Sequence, residues 1–429
     1  MSIKSQTVEN VTKKIWCRLL WNVATYDALR VFLILIVAMD YEIDSVDVIS
    51  AILLAPLKEE VYIKIPDGYP NKPKHKGKVL RLLKSLYGLK QSPHEWNQEL
   101  DSYLQSIGFK STISEKCIYV GRFGAKGETT IYLLVYVDDI LIATPNRNSM
   151  KTLKTMINNK FPLKDKGPLS FFLNMHFKRD RTNRTITLHQ QPKIEKLLLD
   201  PRLTKDERTL ISKPCKTPAS DDEILTTDMC PTTDEDKAHM ATKNYKSFVG
   251  VLLYIAITAR PDISPAVSVV ARFSHNPGPK HWSAVLRILR YLQGTRSLVL
   301  QLSGKSFTGD IKELCTLAYA DADWGKDLDT RRSRSGYAIY LLNSLVIWSS
   351  KLQSSTALSS TEAEYIALAT CARITIWLRT LLSEMGFPQH SPTSILEDNK
   401  STINIAESVK SHPAVKHIDI RHHFIRDRA

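Results

Sequence analysis

The chain has 429 residues, 43% hydrophobic and 24% charged, with a formal net charge of +15 at pH 7. This composition is that of an ordinary globular protein, and the length leaves room for two or three domains with real cores. The basic surplus favours polyanionic partners such as nucleic acid.

In chain order, MSIKSQTVENVTKK has no apolar signal core, and residues 1 to 22 show no clear pattern. ALRVFLILIVAM, residues 28 to 39, is too short to span a bilayer and reads as a buried helix. Residues 43 to 54 read as a strand followed by a turn or helix, and LKEEVYIKIP, residues 57 to 66, as an alternating strand. NKPKHKGK is a basic loop, after which a strand runs into a helix that begins near Pro93. A hairpin is expected over 131 to 144, an amphipathic helix over 150 to 161 and a second hairpin over 168 to 190. Residues 200 to 243 are polar and rich in acid, and read as a linker or long surface loop. Helical patterns return over 244 to 296, and an α/β segment runs from about 315 onward. The six cysteines form no CxxC pair and have no histidine at zinc-finger spacing, so they are expected to be reduced thiols of an intracellular protein.

The first chemical signal is IYLLVYVDDILIAT, where Asp138 and Asp139 lie side by side between two apolar strands. Asp is a common turn residue, so a plain hairpin accounts for the pair. Paired carboxylates also suit a hard cation such as Mg²⁺. Asp47, flanked by Val46 and Val48, is a third candidate, with the exposed face of an edge strand as its bland alternative. Together the three match a site in which two Mg²⁺ ions about 4 Å apart activate a 3′-hydroxyl and neutralise a leaving pyrophosphate.

YVDD at 136 to 139 resembles the hallmark of reverse transcriptases. SLYGLKQSPHEW, VDVISAILLAPLKEEVYIKIPDGY, FFLNMHF, YKSFVGVLLYIAITARPDISPAV and NPGPKHWSAVLRILRYLQGT resemble segments of copia-type retrotransposon polymerases, and all stand in the family's order. The resemblance covers nearly everything after about residue 23. It implies that Asp47, Asp138 and Asp139 bind metal, and that Tyr136 and Val137 lie near the primer end. It further implies that Gly88, Gln91, Ser92 and Pro93 line the template and nucleotide pocket, and that Phe172 to Met175 form the primer-gripping hairpin.

Toward the C-terminus, Asp321 ends a strand, Glu362 lies in the first turn of a long helix and Asp398 lies between a strand and a helix. Separate segments that each bring a carboxylate suit a two-metal nuclease. The bland alternatives are a turn for Asp321, capping boxes for Ser359–Glu362 and Thr361–Glu364, and a helix cap for Asp398. DADW, RRSRSGY, SSTEAEY, EDNKS and KHIDIRHHFIRD resemble the ribonuclease H domain of the same polyproteins, which implies catalytic, metal-binding roles for Asp321, Glu362 and Asp398. His412, His417, His422 and His423 have no zinc-ligand spacing and fit better a basic surface that tracks a hybrid backbone.

Four departures from the family pattern stand out. Residues 1 to 22 match neither the family's basic fingers segment nor the TFSPV segment after it. Ile52 stands where an aromatic ring is expected against the nucleotide sugar, and Asn174 replaces a glycine. A final segment with a fourth nuclease carboxylate lies outside this sequence.

The expected architecture is α+β. A reverse transcriptase palm, an antiparallel sheet with helices on one face, would span 23–198 with truncated fingers and the primer-grip hairpin. A linker comes next at 199–243, then a helical connection at 244–310 and an α/β ribonuclease H-like domain at 311–429. The expected cofactor is Mg²⁺. The expected partners are RNA template, DNA primer, RNA–DNA hybrid and dNTPs, with no membrane. The resemblance implies a cytoplasmic virus-like particle or the nucleus as the compartment. The alternative is an inactive retrotransposon remnant that only binds nucleic acid.

Overall fold

The computed structural model describes residues 23–70, 77–123, 128–220, 224–310 and 314–407. Chain contacts divide it into two units, residues 1–29 with 40–169 and residues 30–39 with 170–429. The division by contacts differs from the expected one: the β-hairpin expected to grip the primer falls in the second unit. Helix α1, Tyr26–Ala38, belongs to the second unit from Arg30 onward.

The first unit is built on a six-stranded antiparallel sheet. Its elements are β1 (Glu42–Val48), α2 (Ala51–Leu54), β2 (Tyr62–Lys64), β3 (Val79–Arg81), α3 (Ser92–Ser106), β4 (Phe109–Ser111), β5 (Ile118–Phe123), β6 (Thr129–Tyr136), β7 (Asp139–Thr144), α4 (Arg147–Lys160) and β8 (Leu163–Pro168). The sheet order is β4-β5-β6-β7-β1-β8, and β2 and β3 form a separate small ribbon. Central strands that are apolar without alternation bury both faces, and Ile131 to Val135 and Ile140 to Thr144 are buried throughout. One face packs on α3 and α4, where Trp96, Leu100, Met150, Leu153 and Ile157 meet Val46, Leu133 and Ile142. Asn146 caps α4 by accepting the Ser149 N–H.

The second unit continues with β9 (Phe171–Phe172), β10 (Met175–Asp180), β11 (Thr185–His189), α5 (Gln191–Leu198), α6 (Lys205–Ile211), α7 (Asp234–Ala241), α8 (Tyr245–Thr258), α9 (Ser264–Ala271), α10 (Pro279–Gly294) and β12 (Leu300–Ser303). It ends with β13 (Thr316–Ala322), β14 (Arg334–Leu341), β15 (Ser344–Leu352), α11 (Ser360–Glu384), β16 (Ser394–Leu396) and α12 (Lys400–Glu407). The stretch expected as a linker carries α6 and α7, and gives Leu203, Ile211, Leu225 and Met240 to the same core as α8 to α10. Its few apolar residues are spaced to face inward, while its many charges face solvent, so composition alone disguised it.

The last sheet runs β15-β14-β13-β16, antiparallel except that β16 pairs in parallel with β13. Along β13 the side chains alternate, with Ala318, Ala320 and Ala322 buried and Tyr319 and Asp321 exposed. Three small residues on one face let α11 pack closely on β13. By length and composition α11 is apolar enough to cross a membrane; here its stripe of Ala363, Ala367, Cys371 and Leu378 is buried within the unit.

Buried Arg30 ties α1 into this unit. Its guanidinium donates to the carbonyls of Val346 at 2.6 Å and Ile257 at 2.8 Å, and lies 3.8 Å over the Trp348 ring. A planar cation with several fixed donors suits such a site.

Candidate active sites

The first site sits where β1 and β7 run side by side. Asp47 and Asp139 are directly opposed in the register, and Tyr136 pairs with Asp139 to close a two-residue turn of Val137 and Asp138. Val137 has φ 63, a left-handed conformation that costs a β-branched residue about 1–2 kcal/mol. Two bonds hold the turn. The Trp96 indole N–H donates to the Val137 carbonyl at 2.8 Å, and the Val48 N–H donates to the Asp138 carbonyl at 2.8 Å. The plain-turn account of Asp138 therefore holds, and the same turn carries its carboxylate next to that of Asp139.

Burial, and then the charges of Asp139 and Asp47, hold the Asp138 carboxyl above its usual range, with Lys166 opposing. The Lys166 ammonium lies 2.6 Å from Asp139 and 4.0 Å from Asp47. Trp96, which the sequence offered only as part of a motif, emerges as the residue that anchors the turn. It is 1% exposed and packs edge-on against Phe161.

The neighbouring candidates divide. Gly88 has φ 93, with nothing within 4 Å of where a Cβ would stand, so its backbone is open and conformationally bound to glycine. Ser92 is buried and clamps that turn, its hydroxyl donating to the Leu86 carbonyl at 2.8 Å and accepting the Leu86 N–H at 3.1 Å. Pro93 lies in the first turn of α3, and Gln91 donates to Glu59 at 2.9 Å. Tyr136 is half-buried at the end of β6. Ile52 is 5% exposed and packs into the core. In the second unit, Leu173 and Asn174 form a tight β9–β10 turn with φ 48 and 59, a conformation Asn accepts readily.

The second site also lies wholly in the second unit. One carboxylate oxygen each from Asp321, Glu364 and Asp398 lies within 4.8 Å of the others. Glu362, the expected member, is not among them. Its N–H donates to the Ser359 hydroxyl at 3.1 Å, and its carboxylate accepts the Leu358 N–H at 2.7 Å. Glu362 is thus the capping residue, and Glu364, two residues or about 200° further round the helix, points to the cluster. The signal was present in the sequence: Glu364 shares a helical stripe with Ala367, Leu368 and Cys371, all buried.

Asp398 is likewise freed from capping, because Asn399 accepts the Thr402 N–H at 3.1 Å and caps α12 instead. Glu364 is 7% exposed, and one of its oxygens is buried without a hydrogen-bond partner. Burial, and then the charges of Glu397 and Asp321, push its carboxyl up to about 7. Glu397, which stands in EDNKS but had been given no role, is also pushed up to about 7 by burial and by Asp398 and Asp321. His412, His417, His422 and His423 lie outside the described residues.

Both donor sets consist of hard carboxylate oxygens, the ligands that Mg²⁺ prefers. Each also carries a mark of cation demand: an ammonium gathered against two carboxylates in the first, and a buried unpartnered carboxylate oxygen in the second. The second set fits a divalent ion by donor type and by convergence within 4.8 Å, and the first fits by donor type, with Asp138 in the field of Asp139 and Asp47.

A family model described as reverse transcriptase (RNA-dependent DNA polymerase) matches residues 6–216. Most of the segment that had looked unmatched, from residue 6 on, therefore lies inside the family match. The chain is 39% identical over 400 residues to the retrovirus-related Pol polyprotein from transposon TNT 1-94 of Nicotiana tabacum, covering 93% of this chain and 29% of that protein. It is 35% identical over 406 residues to the Pol polyprotein from transposon RE2 of Arabidopsis thaliana, covering 94% and 26%. The chain thus spans less than a third of the length of these relatives. The putative transposon Ty5-1 protein of Saccharomyces cerevisiae is 33% identical over 322 residues, which are 75% of this chain and 97% of that protein. A solved structure of a foamy viral protease-reverse transcriptase in complex with ds DNA aligns with 90% of this chain and 54% of its own at a TM-score of 0.46 and 12% identity, a likeness too slight to carry an argument. With its ordered motifs matched along most of its length, the chain belongs to the reverse transcriptase family of copia-type retrotransposon Pol polyproteins.

Proposed function

We propose that this chain extends a DNA primer on an RNA or DNA template at the first site, and cleaves the RNA strand of the hybrid at the second. The observation that carries the polymerase assignment is the opposition of Asp47 and Asp139 across adjacent strands, with Asp138 next to Asp139 on the clamped turn that joins β6 to β7. Two Mg²⁺ ions would supply activation of the primer 3′-hydroxyl and charge neutralisation on the departing pyrophosphate. Asp47, Asp138 and Asp139 would hold them, and β1 and β7 fix the spacing of these carboxylates so that little reorganisation is needed. Tyr136 and Val137 would abut the primer end, and the open backbone at Gly88 would let template or dNTP approach closely. Ile52, buried in the core, presents no flat ring to a sugar, so discrimination against a 2′-hydroxyl is expected to be weak.

The nuclease assignment is supported by the convergence of Asp321, Glu364 and Asp398, and by strand β16 lying parallel to β13 beside α11. In this assignment Glu364 takes the metal-binding role that the motif alone had given to Glu362. The second unit would act as a ribonuclease H-like domain, with the basic charge of the chain tracking the hybrid backbone. A cytoplasmic virus-like particle or the nucleus is the proposed compartment, in keeping with free thiols at Cys117, Cys215, Cys230, Cys315 and Cys371.

Primer extension with an RNA template, a DNA primer, dNTPs and Mg²⁺ tests the polymerase assignment, beside an Asp138→Asn control. Extension that the control loses supports it. Nucleic-acid binding by the folded chain without extension would sink it and mark the chain as a remnant.

A further inference from the structure

Lys166 reaches the first site by a specific device. Strand β8 pairs with β1 such that Ser45 faces Gly167 and Val46 faces Asp165, so Lys166 is the extra residue of a β-bulge. Bulges re-aim a side chain that regular alternation would send elsewhere. Here both flanks of the bulge are held. Asp165 accepts two bonds from Lys154, at 2.7 and 2.9 Å, and one from the Gly167 N–H at 2.8 Å. Gly167 itself has φ 72, with open space where a Cβ would stand, so glycine is needed there for conformation and not for room. The result is an ammonium on the Asp139 carboxylate at 2.6 Å and within 4.0 Å of Asp47.

We propose that Lys166 is a tethered counter-ion that competes with divalent metal for Asp47 and Asp139, and so sets the metal concentration at which the site fills. The proposal rests on the metal-site assignment made above. An ammonium and a divalent ion cannot both take the same face of Asp139, so metal entry must displace Lys166. Its flexible four-carbon stem makes the displacement feasible without movement of the strand. Before displacement, the ammonium offsets the repulsion between the clustered carboxylates and lets the site fold without metal. The pair is partly exposed, with side-chain exposures of 36% for Lys166 and 26% for Asp139. Competition is therefore modest, and loss of the ammonium is expected to tighten metal binding about five- to tenfold.

The test uses the full chain with Asp321→Asn and Asp398→Asn, which silence the second site, and follows free Mn²⁺ by electron paramagnetic resonance. Lys166→Met is expected to bind Mn²⁺ about five- to tenfold more tightly than the parent, and Lys166→Arg to match the parent. Lys166→Met should also melt lower in EDTA and gain more on adding Mn²⁺; Lys166→Gln gives a second neutral variant if the first fails to fold. Tightening that disappears in an Asp139→Asn background supports the proposal. If Asp139→Asn weakens Mn²⁺ binding but neither neutral variant tightens it, the counter-ion role is overturned and the metal site stands. If Asp139→Asn leaves Mn²⁺ binding unaltered as well, the metal-site assignment fails and the counter-ion falls with it.

Discussion

In the first unit an ammonium is aimed at the carboxylates: Lys166 sits on Asp139 and near Asp47. In the second unit, among the described residues, no lysine or arginine pairs with Asp321, Glu364, Glu397 or Asp398, and Glu364 and Glu397 are instead pushed up to about 7. Like charges held close must be offset, and the two sites do so by different means. One places an ammonium against the carboxylates, and in the other burial and mutual repulsion raise the carboxyls' affinity for protons. The contrast arises from where the carboxylates sit. Asp47 lies on β1, next to edge strand β8, which bulges Lys166 toward it and toward Asp139 on the far side of β1. Glu364 lies on the buried face of α11, which packs on β13.

The largest effect that would sharpen this contrast concerns which glutamate serves the second site. Glu364→Gln should lower hybrid cleavage at least about 10²-fold, while Glu362→Gln keeps it within about threefold. Gel analysis of a labelled RNA strand in a hybrid reads both. Equal losses would return Glu362 to the site and break the geometric assignment.

Next in size is pH. A carboxyl whose pKa rises from 4.5 to about 7 on folding binds more protons folded than unfolded between those values. Its contribution to stability is fully present below about 4.5 and declines as pH rises toward 7. The melting temperature of the second unit should therefore fall by about 3–5 °C between pH 5 and pH 7.5 in EDTA. Mg²⁺ at pH 7.5 should restore it, and Glu364→Gln should flatten the slope. Calorimetry in EDTA and in Mg²⁺ checks this. A melting temperature that climbs over the same range would contradict the protonated pair.

A smaller effect probes the first site. Trp96→Phe keeps the ring packed against Phe161 but removes the donor to the Val137 carbonyl. It should cost about 1 kcal/mol and weaken Mn²⁺ binding at the first site about two- to fivefold, with the second site unaffected. Titrations with either site silenced separate the two. The smallest effect is Glu362→Gln on stability, about 0.5 kcal/mol, since it perturbs only the exposed bond that the carboxylate accepts from the Leu358 N–H.

Much of this was legible in the sequence. Asp47, Asp138 and Asp139 could be picked out because an acidic residue inside an apolar strand pattern needs a reason, and the fold sets Asp47 opposite Asp139 with Asp138 in the adjoining turn. Helix α1 and the hairpin of β6 and β7 were legible because long apolar runs dominate their neighbours. Three features were missed, each for a physical reason. Residues 200 to 243 hid a packed helical segment because a few well-spaced apolar side chains are enough to anchor short helices. Glu362 was preferred to Glu364 by its place in the first turn, although that place is what commits it to capping. Lys166 carried no signal at all, since a bulge depends on the register between two strands far apart in the chain.

Crystals soaked in Mn²⁺ and measured by anomalous diffraction test the account most directly. It predicts manganese between Asp47, Asp138 and Asp139 with Lys166 swung away, and manganese among Asp321, Glu364 and Asp398 with Glu362 still capping its helix. Manganese bound by Glu362, or Lys166 still seated on Asp139 with no manganese there at saturating concentration, would contradict it.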